Sequence, residues 1–220
     1  MQVEIWSDVA CPWCYIGKRR FESALARFSH ADEVEVVWRS YQLDPNAPPT
    51  STADMAELVA RKYGMSVDEA GARLALVTRV AAGEGLEYHL DRISRQNTFD
   101  AHRLLQLAAR HGLRGELEER MMCGYLTECL SVADHAVLAR LAAEVGLDDV
   151  ETATVLASGE LADEVREDER RAVELGAHGV PYYLVDGKYA VSGAQDPARF
   201  GQLLDRAWLD ANRPSPAQHG

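Results

Sequence analysis

The stretch "SDVACPWCYIGKRR", Ser7 to Arg20, decides how the rest of the chain is read. Before it, Gln2 to Ser7 alternates and is rich in Val, Ile and Trp, the pattern of a strand. After it begins, Pro12 to Phe28 reads as a helix, with Ile16, Phe21, Leu25 and Phe28 recurring at spacings of three to five. Glu33 to Leu43, carrying Val34, Val36, Val37, Trp38 and Tyr41, reads as a second strand. A strand–helix–strand unit in one sheet is expected to be parallel and right-handed. Cys11 then stands where a strand hands over to a helix. Pro12 takes the first helical position, where its missing N–H does no harm. A thiolate on Cys11 would face unpaired backbone N–H groups and the positive end of the helix dipole, and both favour the charged form.

Cys14 lies one turn further on and is expected to be more enclosed. Two intervening residues at a helix N-terminus bring the sulfurs within bonding distance. The pair can then run a cycle in which Cys11 attacks a disulfide and Cys14 resolves the mixed disulfide. Trp13 carries no charge to stabilise a thiolate, so a milder oxidant is expected than a Pro-His pair would give.

Two other readings compete. In the first, Cys11 and Cys14 are half of a zinc site, whose other half must come from elsewhere. Cys123 and Cys129 are the remaining cysteines. They lie in a segment that reads as helix, where six residues span about 9 Å of axis and point to different faces. They would chelate poorly, and a disulfide between them would need Cα atoms within about 7 Å. In the second, the pair is only small apolar filling. For Cys123 and Cys129 packing is the favoured reading, with an accessory redox role beside it.

Composition narrows the classes of function. The chain has 220 residues, enough for one large domain or a domain carrying an insertion. A net charge of −12 argues against general affinity for nucleic acid or anionic membrane. No run of about 18 apolar residues offers a transmembrane helix. A strand pattern follows Met1 almost at once with no signal peptide in view, so a cytoplasmic location is expected. In a reducing compartment a Cys-x-x-Cys is more often catalytic or metal-binding than a structural staple, and four cysteines are too few for a disulfide scaffold.

Beyond the second strand the pattern changes. Asp44 to Ser51 holds three prolines and reads as a loop. From Thr52 to Leu175 only helices are expected: Thr52–Tyr63, Ser66–Ala82, Asn97–His111, Leu113–Glu128, Ala133–Val145, Asp148–Ala157 and Leu161–Leu175. Ser66 to Glu69 is close to a capping box, and glycines such as Gly64, Gly112, Gly146 and Gly176 mark helix ends. Strands return at Tyr182–Val185 and Lys188–Val191 around a two-residue Asp186-Gly187 turn. A last helix is expected over Pro197–Ala211. The order β-α-β, helical block, β-β-α predicts an α/β domain interrupted by a helical insertion.

The later segment "GAHGVPYYLVDGKYAVSGAQDP", Gly176 to Pro197, adds a resemblance. Gly179-Val180-Pro181 before a hairpin strand resembles the Val-cis-Pro loop of the thioredoxin fold. With "DVACPWCYIGKRRFE", "SYQLDPN", "NTFDAHRL" and "LTECLSVADHAVLARLAAEVGLD", it makes the chain resemble the DsbA-like family, and within it the FrnE-type oxidoreductases, nearly end to end. The resemblance implies a thioredoxin fold with a helical domain inserted after the second strand. It implies a thioredoxin-like domain over residues 1–45 and 176–211, a helical insertion over 46–175 and a loose tail over 212–220.

The resemblance also implies roles. Cys11 becomes the nucleophile and Cys14 the resolving thiol, with Pro12 and Trp13 between them. The bond before Pro181 becomes cis, whereas an isolated X–Pro bond is usually trans. The Val180 backbone can pair with an extended thiol substrate, and the proline ring fills room a metal would need. Asn97 and His102 fall on the helix that approaches the active site from the insertion, although a lone helical histidine is more often a packing residue. Ser192, Gly193, Ala194 and Gln195 resemble a loop near the cleft that, in related kappa-class glutathione transferases and 2-hydroxychromene-2-carboxylate isomerases, helps hold glutathione. Gln42 and Asn46 flank the same cleft. Trp6, Tyr15, Trp38, Tyr41 and Tyr183 line either a groove or, more in keeping with strand aromatics, the core.

A thiol–disulfide oxidoreductase acting on a protein or small thiol is therefore expected. It has no tightly bound cofactor and no metal, glutathione is a possible co-substrate, and a homodimer is left open. A glutathione-dependent isomerase or transferase is the first rival, but such relatives tend to carry serine where Cys11 stands and to lack the second cysteine. A chaperone-like binding module that works without either cysteine is the second.

Overall fold

The computed structural model describes residues 1–49, 51 and 53–213; the last seven residues of the expected tail, 214–220, lie outside the described residues. One sheet holds β1 (Gln2–Ser7), β2 (Glu35–Ser40), β3 (Tyr182–Val185) and β4 (Tyr189–Ser192), in the order β2-β1-β3-β4. β1 runs parallel to β2 and antiparallel to β3, and β3 runs antiparallel to β4. β2 is shorter than the expected Glu33–Leu43 because it pairs residue for residue with β1, Gln2 to Ser7 against Glu35 to Ser40. Neighbour length, not local composition, sets its ends.

The strands alternate between two chemically different faces, as the two-residue period requires. Val3 and Ile5 of β1 pack against Phe21 and Ala24 of α1 (Pro12–Leu25) and Phe200 and Leu204 of α9 (Pro197–Ala211). Trp6 faces the other way, against Ala172, Tyr182 and Leu184, and its indole N–H donates to Asp168 O at 2.8 Å. Glu4 shares that face and is buried. Its carboxylate accepts from Arg39 at 2.8 Å and Arg171 at 2.5 Å, the pairing a buried charge requires.

Seven helices lie between β2 and β3 among the described residues: α2 (Met55–Tyr63), α3 (Val67–Gly83), α4 (Phe99–Arg110), α5 (Arg114–Leu126), α6 (His135–Glu144), α7 (Asp149–Ala157) and α8 (Ala162–Glu174). Their starts follow local chemistry. The Asp54, Asp134 and Asp148 carboxylates each accept two backbone N–H groups of the first turn, and Ser66 with Glu69 closes the capping box. α2 thus begins at Met55 rather than Thr52. α1 stops at Leu25 rather than Phe28, its chain tightening through short-range bonds Arg27 N to Ala24 O and Phe28 N to Leu25 O.

Two expectations are corrected here. α5 ends at Leu126, so Cys129 is not on the helix that carries Cys123; it sits beyond it at φ +57. The axial-separation argument for that pair therefore does not apply. Their sulfurs instead meet different groups, Cys123 Sγ facing Glu128 Oε1 at 3.8 Å and Cys129 Sγ facing His89 O at 3.9 Å. The hairpin turn is also one residue longer than expected. Asp186 and Gly187 both take positive φ, Lys188 N donates back to Val185 O at 3.0 Å, and pairing resumes at Val185↔Tyr189.

The largest core cluster joins the cysteine turn to the helical block: Val9, Cys11, Cys14 and Ile16 pack in one continuous body with Leu104, Leu105, Met121 and Met122. The helices thus form one wall of the place where β1 meets α1. α8 covers the β2 edge, where Asp168 accepts from Ser40 N at 2.9 Å. Among the described residues no helix is long and apolar enough to cross a membrane.

Candidate active site

β1 ends at Ser7, and the next three residues turn the chain into α1. Asp8 builds that turn. Its carbonyl accepts from Cys11 N at 3.0 Å, its Oδ1 from Ala10 N at 3.3 Å, and its Oδ2 from Leu43 N at 2.8 Å. His102 Nε2 of α4 meets Asp8 Oδ1 at 3.3 Å, with both side chains buried. Asp8 therefore ties the strand end, the cysteine turn, the loop after β2 and the helical block to one carboxylate.

Cys11 is the N-cap of α1, in extended conformation, and Pro12 follows at the first helical position. Its side chain makes no capping hydrogen bond, so the sulfur is not spent on the helix. It points across the fold instead: Cys11 Sγ donates to Val180 O at 3.7 Å. The Val180–Pro181 peptide is cis. Cys14 N donates to Cys11 O at 3.0 Å, closing the first turn. The expected contrast in enclosure is small, since Cys11 is 3% exposed and Cys14 1%. Burial pushes the Cys14 thiol well above its ordinary value, and the neighbouring Cys11 sulfur pushes it further in the same direction. Trp13, 40% exposed, is the side chain of the four that faces solvent most openly.

A model of the DsbA-like thioredoxin domain matches residues 2–205. The chain belongs to the DsbA-like thioredoxin family. Over 99% of its length it is similar to 93% of a probable DsbA oxidoreductase from Streptomyces coelicolor, at 45% identity and a TM-score of 0.91. It shares its fold with 2-hydroxychromene-2-carboxylate isomerase, at 14% identity and a TM-score of 0.72 over 98% of this chain and 100% of that one. It also shares it with the cytosolic disulfide reductase DsbM from Pseudomonas aeruginosa, solved with GSH, at 19% identity and a TM-score of 0.63 over 96% and 98%.

Within this DsbA-like frame the other expected residues fall into distinct places. Gly193 N donates to Pro181 O at 2.7 Å, and Arg20 Nη1 donates to Ala194 O at 2.8 Å, so the 192–195 loop is tied both to the proline and to α1. Gln195 Nε2 donates back to Ser192 O at 2.7 Å, within that loop. Gln42 Nε2 donates to Asn97 Oδ1 at 3.3 Å, and Asn97 Nδ2 donates to Pro45 O at 3.1 Å. Asn97 precedes α4 and holds the loop after β2. Asn46 is exposed in that loop. His102 is wholly buried against Asp8. Trp6, Tyr15 and Tyr183 are buried, and Trp38 and Tyr41 pack half-buried against the core, so these aromatics build the interior.

A cleft of about 470 Å³ opens beside the cysteine turn. Asp8, Ala10 and Pro12 form its floor, Leu58, Val59, Leu74 and Ile93 its apolar walls, and Arg61, Lys62 and Arg95 part of its rim. Tyr88 closes over the same turn, its hydroxyl donating to Pro12 O at 2.7 Å. Among the described residues no three His, Cys, Asp or Glu side chains gather as a metal-binding group.

Sequence reasoning missed Asp8, Tyr88, Gly17 and the cleft walls. Asp8 had a local signal, an Asx residue just past a strand end and four positions before a Pro-started helix. Gly17 had none. A Cβ there would lie 2.6 Å from Tyr183 Oη and 3.0 Å from Pro181 Cγ, so α1 can approach the proline loop only through a glycine.

Proposed function

We propose that this protein is a thiol–disulfide oxidoreductase of the DsbA/FrnE type, with Cys11 as nucleophile and Cys14 as resolving thiol. The observation that carries the proposal is the position of Cys11 Sγ, at a helix N-terminus and 3.7 Å from the carbonyl of Val180 in the cis-proline loop. Cys11 attacks one sulfur of a substrate disulfide, forming a Cys11–substrate disulfide and releasing the other sulfur as a thiolate. Cys14 then attacks Cys11, the Cys11–Cys14 bond forms, and the second substrate thiol leaves. The reverse sequence oxidises a dithiol.

Val180 offers its backbone to an extended substrate, in the manner of an added strand. Pro12 borders the cleft, and Trp13 stands at the exposed edge of the cysteine turn. Gln42, Asn97 and His102 act by holding the turn and the loop after β2 rather than by touching substrate; Asn46 and Ser192–Gln195 belong to the loops around it. Residues 1–45 and 176–211 act as the thioredoxin-like domain and 46–175 as the insertion whose helices wall the cleft.

Glutathione is the proposed co-substrate, consistent with DsbM having been solved with GSH, and the cytosolic description of that neighbour favours a cytoplasmic setting here. Isomerase chemistry on bound glutathione is disfavoured because both cysteines are present and Cys11 meets the proline loop.

The test equilibrates the protein in graded glutathione redox buffers, traps thiols by alkylation and reads each cysteine by mass spectrometry. Cys11 and Cys14 should interconvert as a pair while Cys123 and Cys129 stay unchanged. A pair that never oxidises would overturn the proposal. Suppression of aggregation that persists in the Cys11→Ser/Cys14→Ser protein, with no exchange activity in the wild type, would point instead to a binding module.

A further inference from the structure

Arg20 stands one turn after Gly17 on α1, on the side of the helix that lies against the proline loop. The exchange described above does not use it. Its guanidinium joins two segments far apart in the chain. Arg20 Nη1 donates to Ala194 O at 2.8 Å, and Arg20 Nε donates to Glu84 Oε1 at 2.6 Å. The pair is largely enclosed, with the Arg20 and Glu84 side chains 19% and 23% exposed. A planar guanidinium fixes the angle between its two bonds, so Arg20 forms a rigid bracket where a lysine would offer only a point charge.

One end of the bracket holds the loop over 192–195. The loop's other bonds stay inside it or run to Pro181: Gln195 N donates to Gly193 O at 2.9 Å, Gln195 Nε2 to Ser192 O at 2.7 Å, and Gly193 N to Pro181 O at 2.7 Å. Gly193 takes φ +81, a conformation that leaves the loop without a side chain to pack at its bend. Among the described residues, Arg20 supplies the hydrogen bond that ties this loop to α1. Through Gly193 it steadies Pro181, whose neighbour Val180 faces Cys11 Sγ.

The other end is anchored in the helical block. Glu84 is the C-cap of α3, the helix whose Leu74 walls the cleft. A carboxylate there meets the negative end of the helix dipole, so the charge of Glu84 serves Arg20 rather than α3. Four residues on, Tyr88 donates to Pro12 O. The segment leaving α3 thus holds the cysteine turn directly and the proline loop through Arg20.

We propose that Arg20 is a positioning residue for the exchange, set by Glu84 of the helical block so that the Val180–Pro181 backbone stands in register with Cys11 when a disulfide docks. Arg20 touches no reacting atom. Its effect falls on capture, which needs substrate laid along the Val180 backbone. Resolution joins two sulfurs at the first turn of α1 and does not need the loop. This inference rests on the exchange reading.

The experiment separates capture from resolution. Reduced protein is mixed with oxidised glutathione; formation of the Cys11 mixed disulfide and its conversion to the Cys11–Cys14 disulfide are timed by acid quench and mass spectrometry. Arg20→Gln should slow capture by about tenfold or more, as expected for loss of a hydrogen bond from a charged donor, and leave resolution within about twofold. Glu84→Gln should slow capture by about threefold or more, and adding it to Arg20→Gln should slow capture no further, since Glu84 acts through Arg20. Amide hydrogen exchange over residues 192–195 should quicken in both variants. Circular dichroism checks folding, and Glu84→Gln keeps the test open if Arg20→Gln misfolds. Folded variants that capture as fast as the wild type, slowing of capture and resolution together, or additive slowing in the double variant would each overturn the bracket while leaving the exchange reading in place. A wild type that forms no mixed disulfide overturns the exchange reading and the bracket with it.

Discussion

Replacing Gly17 with alanine sets two effects against each other. Gly17 lies inside α1, where alanine is favoured over glycine by about 1 kcal/mol. Against this, the new Cβ would stand 2.6 Å from Tyr183 Oη, 3.0 Å from Pro181 Cγ and 3.5 Å from Ala194 Cα. Neither close neighbour yields easily. Tyr183 is 1% exposed and wedged between Phe21 and Phe200, with ring centroids 5.6 and 4.6 Å away, and the Pro181 ring is closed. Overpacking of this kind costs about 1–3 kcal/mol, and two clashes place Gly17→Ala in the upper part of that range. The net loss is then about 1–2 kcal/mol, a fall in Tm of roughly 2–8 °C for a chain of this size.

Gly71, inside α3, is the control, since nothing lies within 4 Å of a Cβ built there. Gly71→Ala should gain up to about 1 kcal/mol and raise Tm by about 2–4 °C. Thermal unfolding by circular dichroism gives both values, and alkylation of Cys11 reports whether the proline loop has been pushed away from α1. If both substitutions raise Tm equally, the close approach of α1 to the proline loop does not hold and the reasoning fails.

Three further outcomes are expected. Cys14→Ser should leave Cys11 able to capture oxidised glutathione but unable to release it by resolution, so the mixed disulfide accumulates in the mass spectrum; rapid turnover without Cys14 would remove it from the mechanism. His102→Ala empties a fully buried site and leaves Asp8 without its partner from α4, so stability should fall by about 2 kcal/mol or more, read as a lower Tm, with altered Cys11 alkylation; a silent substitution would mean that Asp8 does not need α4. Glu119 couples α5 to α1. Burial alone would raise its carboxyl, but Arg19, Lys18 and Tyr15 overcome this and hold it at about 2. A folded value below that of a free glutamate gives stability that is full above about pH 4.3 and is lost as pH falls toward 2. Glu119→Gln should therefore flatten the acid limb of the Tm–pH curve, and an unchanged limb would contradict the coupling.

Local features were legible wherever the chemistry is local. Asp54, Asp134, Asp148 and the Ser66–Glu69 box start their helices as their side chains dictate, and the Pro12 and Pro197 starts are read directly. Long-range pairing is where the reading slipped. The end of β2 depends on the length of β1, and the break between Cys123 and Cys129 depends on how the chain leaves α5. The site shows the same division. Cys11 and Cys14 announce themselves by residue type and spacing and Pro181 through the family resemblance, whereas the partner that holds Asp8 stands 94 residues away on α4.

Sequence alone determined the β-α-β, helical, β-β-α order, the cysteine pair at a helix start and the late proline loop. The first two rest on periodicity, capping and turn chemistry, which act over a few residues, and the proline loop on the family resemblance. Only the tertiary structure decided which groups meet. It brought Val180 to Cys11, pressed α1 against Pro181 at Gly17, and buried Glu118 and Ser7 in the interior. Such contacts join distant segments, and their energies come from burial and close packing, which no short window of sequence contains.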